Sequence, residues 1–207
     1  MRKIVMFNRV SLDGYFAGPN GESHEWFIQD PKVDLAAHDA MQPDTVLFGR
    51  VTYQIFEDHW PKEETNPDAP KEAKATAEEL KNMKKFVFSK TLKEVNWKNT
   101  ELIKGDLINE VKKLKNGNGG DMVIFGSGTI VKQLTAAGLI DEYVFVLTPV
   151  VLGAGKSFFK DVDELNLELL ETKDFKSGNV LLHYRTKGSN KGKEYTESGK
   201  TSLEAVY

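Results

Sequence analysis

Met122-Val123-Ile124-Phe125 is four apolar residues with no polar alternation, cut off by Gly126-Ser127-Gly128 before a helical pattern begins at Thr129. An uninterrupted apolar run of that length reads as a strand covered on both faces, which places it inside a parallel sheet between helices. Ile4-Val5-Met6-Phe7, Thr45-Val46-Leu47-Phe48 and Phe86-Val87-Phe88 repeat the pattern. Between them, residues 33–41, 71–83, 107–115 and 129–137 carry apolar positions at helical spacing or a run of good helix formers. Alternating strands and helices specify an α/β domain.

The boundaries follow from local chemistry. The first strand is expected to stop at Asn8 and Arg9, and a short helix over 51–56 to end at Trp60-Pro61, because proline removes a helix donor. Beyond Glu142 the pattern changes to extended segments at 143–152, 167–175 and 180–186. Lys176-Ser177-Gly178-Asn179 is a hairpin turn between the last two, so the mostly parallel sheet ends in an antiparallel C-terminal edge hairpin. Residues 1–187 form one domain, and 188–207, polar and aperiodic, are expected to be a flexible tail.

Composition narrows the function. Lys and Arg number 28 against 31 Asp and Glu, a net charge of -3, which gives no footprint for nucleic acid or an anionic membrane. The chain has no cysteine, no apolar run long enough to span a bilayer and no signal-peptide hydrophobic region, which together lead us to expect a cytoplasmic protein. Its four histidines are scattered, so no metal is expected.

Three strand ends carry the candidate chemistry. Gly126-Ser127-Gly128-Thr129 combines close backbone approach with the unpaired N–H groups and positive dipole of a helix start, which suits a phosphate. Gly49-Arg50-Val51-Thr52 adds a guanidinium and a hydroxyl at a second strand end, and Ser89-Lys90 a hydroxyl and an ammonium at a third. Carboxyl ends of strands are where open α/β sheets bind ligands. The Rossmann fingerprint fails at Val131, where a third small residue is required. Leu152-Gly153-Ala154-Gly155-Lys156-Ser157 lacks the first glycine of a phosphate loop, and Gly126-Ser127-Gly128 lacks the spacing of a nucleophile elbow.

Val10-Ser11-Leu12-Asp13-Gly14-Tyr15, Phe48-Gly49-Arg50-Val51-Thr52-Tyr53, Phe88-Ser89-Lys90, Val123 to Thr129 and Thr148 to Gly155 together resemble the dihydrofolate-reductase superfamily. The match is to the branch related to the reductase domain of the bifunctional riboflavin-biosynthesis deaminase-reductase, over about residues 1 to 187. The resemblance implies a three-layer αβα fold and NADPH as cofactor. It further implies that Arg50 and Lys90 hold the 2′-phosphate, with Thr52 on the pyrophosphate and Ser89 beside the adenosine, and that Gly49 belongs to the same cofactor site. Gly126, Ser127, Gly128 and Thr129 then take the pyrophosphate from the other side, and the nicotinamide lies near Asn8, Arg9 and Val10. Asp13, in the first-strand loop, is the implied substrate-orienting or proton-handling residue; the alternative is that it only shapes the turn with Gly14. The chain departs from dihydrofolate reductases on the first helix, which offers only Asp34 and Asp39, and at Ser127, where those enzymes carry a second glycine.

The leading expectation is an NADPH-dependent reductase that delivers hydride to a small heterocyclic (pteridine- or pyrimidine-like) or carbonyl-type substrate. A dinucleotide-binding protein without turnover is the alternative, as is a homodimer pairing through 180–186 as a sheet edge.

Overall fold

The computed structural model describes residues 1–22 and 25–187, so the tail expected at 188–207 lies outside the described residues. In chain order the elements are β1 (Ile4–Ser11), α1 (Pro31–Asp39), β2 (Thr45–Gly49), α2 (Arg50–Thr65), α3 (Lys71–Asn82), β3 (Lys84–Phe88) and β4 (Thr100–Ile103). There follow α4 (Leu107–Asn116), β5 (Met122–Phe125), α5 (Gly128–Ala136), β6 (Glu142–Thr148), β7 (Leu167–Asp174) and β8 (Val180–Thr186). One sheet runs β4-β3-β2-β5-β1-β6-β8-β7, parallel from β4 to β6 and antiparallel across β8 and β7. Among the described residues no helix is long and apolar enough to cross a membrane.

The central strands are apolar on both faces because both are covered. Ile4, Met6, Met122 and Ile124 pack with Val111 of α4 and Ile130, Val131 and Leu134 of α5. On the other face Val46, Phe48 and Val87 meet Tyr53 and Leu80 of α2 and α3, while Val5 and Val144 meet Ala36 and Ala37 of α1. Each large apolar side chain buried this way contributes on the order of 2 kcal/mol. At the amino ends of the strands Arg2 fastens three segments, donating to the Gly120 carbonyl at 2.6 Å, Asp44 at 2.7 Å and Thr45 Oγ1 at 2.5 Å.

Three expectations need correction, and one strand was not expected. β1 runs on through Asn8 and Arg9 to Ser11, because Asp34 on α1 neutralises the buried Arg9 guanidinium and lets the strand keep pairing with β6. α2 continues through Pro61 to Thr65. The donor that proline removes is offset by packing of Phe56 and Trp60 onto the cluster around Phe48. β4, the strand not expected, has only four residues, three half-buried and Glu101 exposed, too few to show a period in sequence. Val180–Thr186 is not an edge: it lies between β6 and β7, and the exposed edge is Leu167–Asp174.

Lys85 is wholly buried, with its ammonium donating to the carbonyls of Leu80 (2.6 Å), Lys81 (3.2 Å) and Met83 (2.8 Å) above the Trp97 ring. It closes the carboxyl end of α3, where carbonyls lack helix partners. Lys85→Met is expected to strand those carbonyls and lower the unfolding free energy by about 1–3 kcal/mol in urea titrations. Burial, with Lys98 nearby, pushes the ammonium down from 10.5 to about 8. The unfolded chain therefore holds the proton more tightly, and the stability Lys85 adds grows as pH rises from about 8 towards 10.5 and is lost as pH falls through about 8. Repeating the titration at pH 8 and 10 on both proteins measures that divergence.

Candidate functional site

β2, β5 and β1 are neighbours in the sheet and end on the same edge, which brings Gly49, Gly126 and Asn8 together. Gly126 and Ser127 both take the left-handed conformation, with φ of 60° and 58°. For serine this backbone costs about 1–2 kcal/mol. The side chain holds it there: Ser127 Oγ accepts the Gly49 N–H at 2.8 Å and donates to Thr52 Oγ1 at 2.9 Å. Thr52 is left with its own hydroxyl proton to give to another acceptor. Position 49 has to be glycine, since a Cβ there would stand 2.8 Å from Ser127 Oγ, and a Cβ on Gly128 would stand 2.6 Å from the Phe16 ring.

The starts of α2 and α5 differ from those of α1 and α4. α1 and α4 are capped by the side chains of Asp30 and Asp106 and carry Asp34 and Glu110 in their first turns. α2 and α5 have no side-chain cap and no acidic residue in the first turn. Their amino-terminal N–H groups, including those of Gly128 and Thr129, lack intrahelical partners and face a region free of carboxylates of their own. Two bare helix starts joined by Ser127 suit a bound anion with more than one phosphate.

Beside α2 lies a cavity of about 560 Å³ lined by Arg50, Gln54, Thr91, Leu92, Lys93 and Glu94. Arg50 is exposed and steadied by Gln54 Oε1 at 3.1 Å. Ser89 Oγ accepts the N–H groups of Thr91 (3.2 Å) and Leu92 (3.0 Å), so its hydroxyl folds the loop that carries Lys90 and Lys93. Tyr53 supports the floor from behind: its hydroxyl donates to Glu57 at 2.6 Å and accepts from Asn96 and Trp97. Burial, then the Glu57 carboxylate, push that phenol up to about 12.

The first-strand loop is clasped to the loop after β6. Asp13 accepts from Ser11 Oγ at 2.7 Å, Leu152 N at 3.1 Å and Gly153 N at 2.7 Å. The Ser11 hydrogen bond, helped by the two backbone donors, holds this exposed carboxyl below the ordinary carboxylate value. Gly155 completes the clasp, because a Cβ there would stand 2.4 Å from the Ala17 carbonyl. Leu12 and Val151, 60% and 64% exposed, are left as apolar tips on the joined loops. Arg9 is turned to α1, where it pairs with Asp34, reaches the Ile28 carbonyl at 3.5 Å and lies over the Phe27 ring. Val10 is buried in the core, so neither its side chain nor that of Arg9 is free at this edge.

Gln54, Thr91, Lys93 and the N–H groups of Leu152 and Gly153 were not singled out from sequence. The only signals for them were the Ser-Lys-Thr turn after β3 and a glycine-rich loop that reads as a failed phosphate loop. Ser127→Ala is expected to leave the Gly49 N–H unpaired and lower stability by about 1–3 kcal/mol in thermal melts, with the loss centred on the start of α2 by hydrogen exchange. For Asp13 the depressed value means the clasp is intact above the unfolded value near 3.8 and is lost as pH falls through the lower folded one. Exchange protection of Leu152 and Gly153 is expected to stay level from pH 7 down to 5 in the parent and to be absent in Asp13→Ala.

A profile of the RibD C-terminal domain family matches residues 2–181. The uncharacterized protein YyaP of Bacillus subtilis is 36% identical over 189 residues, covering 90% of this chain and 96% of that protein. The structure is similar to the Thermotoga maritima diaminohydroxyphosphoribosylaminopyrimidine deaminase/5-amino-6-(5-phosphoribosylamino)uracil reductase, at a TM-score of 0.61, with 15% identity, over 90% of this chain and 57% of that one. It is also similar to Enterococcus faecalis dihydrofolate reductase, complexed with NADP(H), at a TM-score of 0.58, with 14% identity, over 89% and 96%. With the profile spanning nearly the whole domain and the fold shared with dihydrofolate reductase, the chain belongs to the RibD C-terminal domain family.

Proposed function

We propose that this protein is an NADPH-dependent reductase acting on a small heterocyclic or carbonyl-type substrate. The observation that carries the reading is the pair of uncapped helix starts, α2 and α5, bridged by Ser127 beside a cavity that Arg50 lines. Such a site takes a pyrophosphate at Thr52 and Gly126 to Thr129, and a further phosphate at Arg50 and Lys90, with Lys93 on the same cavity. Membership of a reductase-like family, and a fold shared with a dihydrofolate reductase complexed with NADP(H), support it.

When bound, the dihydronicotinamide supplies the hydride. Asn8 and the backbone of Arg9 and Val10 position its ring at the end of β1. The tips at Leu12 and Val151 keep water from it. Asp13 acts on the substrate through the loop it clasps, because an ionised carboxylate already accepting three hydrogen bonds is a poor proton donor. Asp34 is engaged by Arg9, so the proton that balances the hydride comes from solvent. The same engagement of both carboxylates favours the second reading, a dinucleotide-binding protein without turnover. That reading predicts tight NADPH binding with no oxidation across a broad substrate panel.

Arg50→Ala is expected to weaken NADPH by about tenfold or more, the worth of a charge-assisted hydrogen bond, and to leave NADH binding unchanged. Calorimetric titration measures both, and equal weakening of the two cofactors would remove the 2′-phosphate assignment.

A further inference from the structure

The chain contains three Asn-Gly pairs: Asn20-Gly21, Asn116-Gly117 and Asn118-Gly119. An asparagine followed by glycine is chemically labile, because with no Cβ on the next residue that residue's backbone nitrogen can reach the asparagine Cγ. The attack requires the nitrogen to give up its proton. A nitrogen whose N–H is already held by a carbonyl resists it.

The fold treats the three pairs differently. The Gly21 N–H donates to the Gly18 carbonyl at 3.0 Å, and the Gly117 N–H to the Leu114 carbonyl at 3.1 Å. Asn116 is in addition fixed as the last residue of α4. The Gly119 N–H has no hydrogen-bond partner among the described residues, and residues 117–120 form an exposed bend between α4 and β5. The Arg2 guanidinium lies against this bend, since a Cβ on Gly119 would stand 2.8 Å from Arg2 Cζ. A fixed cation therefore stands where negative charge develops as the nitrogen loses its proton.

We propose that Asn118 is a site of spontaneous deamidation, and that its conversion loosens the fastening of the strand amino ends by Arg2. The Gly119 nitrogen, having given its proton to hydroxide, bonds to Asn118 Cγ. The Cγ–Nδ2 bond breaks, and the nitrogen leaves as ammonia with a proton taken from water, which restores the hydroxide. Water then opens the five-membered imide. Breaking the new Cγ–N bond gives aspartate, and breaking the original backbone C–N bond gives isoaspartate, with the chain routed through Cγ. Either product places a new carboxylate next to Arg2, where it competes with Asp44 for the guanidinium. Isoaspartate also lengthens the backbone by one atom just before Gly120, whose carbonyl accepts from Arg2 at 2.6 Å and whose N–H donates to Asp44 at 2.5 Å.

The parent and Asn118→Gln are aged at mildly alkaline pH, both folded and unfolded in urea. Conversion is then read by peptide mass mapping with an isoaspartate assay. In urea the three pairs of the parent are expected to convert at similar rates. In the folded parent Asn118 is expected to convert at least about fivefold faster than Asn20 or Asn116, the worth of the one hydrogen bond that holds each of the other two nitrogens. The aged parent is expected to melt about 3 °C or more below the fresh protein. Asn118→Gln, whose longer side chain would have to close a six-membered ring, is expected to show neither conversion at 118 nor the drop. Its fresh form is expected to melt like the parent, because the Asn118 side chain is exposed. Conversion of Asn20 or Asn116 as fast as Asn118 in the folded parent, or equal protection of all three, overturns the site. Conversion of Asn118 with an unchanged melting temperature overturns the link to Arg2. Both readouts come from the parent alone, so the outcome holds even if the variant does not fold.

Discussion

The hydroxyl of Ser127 joins two strand ends that are 78 residues apart in sequence, taking the Gly49 N–H and giving its own proton to Thr52. The geometry where β2 and β5 pass into α2 and α5 follows from that bridge. It holds a serine in a left-handed backbone that turns β5 directly into α5, and it requires glycine at position 49 for the approach. It also sets the starts of α2 and α5 side by side without a capping carboxylate on either. A local strain of about 1–2 kcal/mol is thereby exchanged for two oriented sets of free N–H donors.

The rest of the molecule divides into a locked end and an open one. Around the amino ends of the strands, Arg2 with Asp44 and Gly120, and Lys115 with Asp141, knit segments with charge-assisted hydrogen bonds. At the other end, loops are tied to one another and only lightly to the sheet, as Asp13 ties the first loop to the one after β6. The stabilising charge pairs and the proposed ligand site thus lie at opposite edges of the same strands, the arrangement expected of an open α/β sheet. Asp13 illustrates how the two demands meet, since its carboxylate shapes a cleft by holding a backbone rather than by standing free in it.

Much of this was legible in the chain. Uninterrupted apolar runs marked β1, β2, β3 and β5, and small residues at their ends marked the loops, because burial on two faces and close backbone approach leave few residue types. What failed to show depended on partners distant in sequence. Arg9 reads as a strand breaker until Asp34 is placed beside it, and Pro61 as a helix end until Phe56 is seen to pack on Phe48 and Trp60 on Phe56. The partners of Asp13 lie 139 and 140 residues away and are backbone N–H groups, which no side-chain pattern records. β4 was too short to show a period, and the order of the last two strands was set by where the hairpin docks.

The account stands or falls on whether the paired helix starts and Arg50 recognise a phosphorylated dinucleotide. The direct measurement is calorimetric titration of the unaltered protein with NADPH and with NADH at one fixed salt concentration, since exposed charges are screened. The account predicts micromolar-range binding of NADPH, about 8 kcal/mol, with NADH much weaker. Binding of neither, or of both alike, would contradict it.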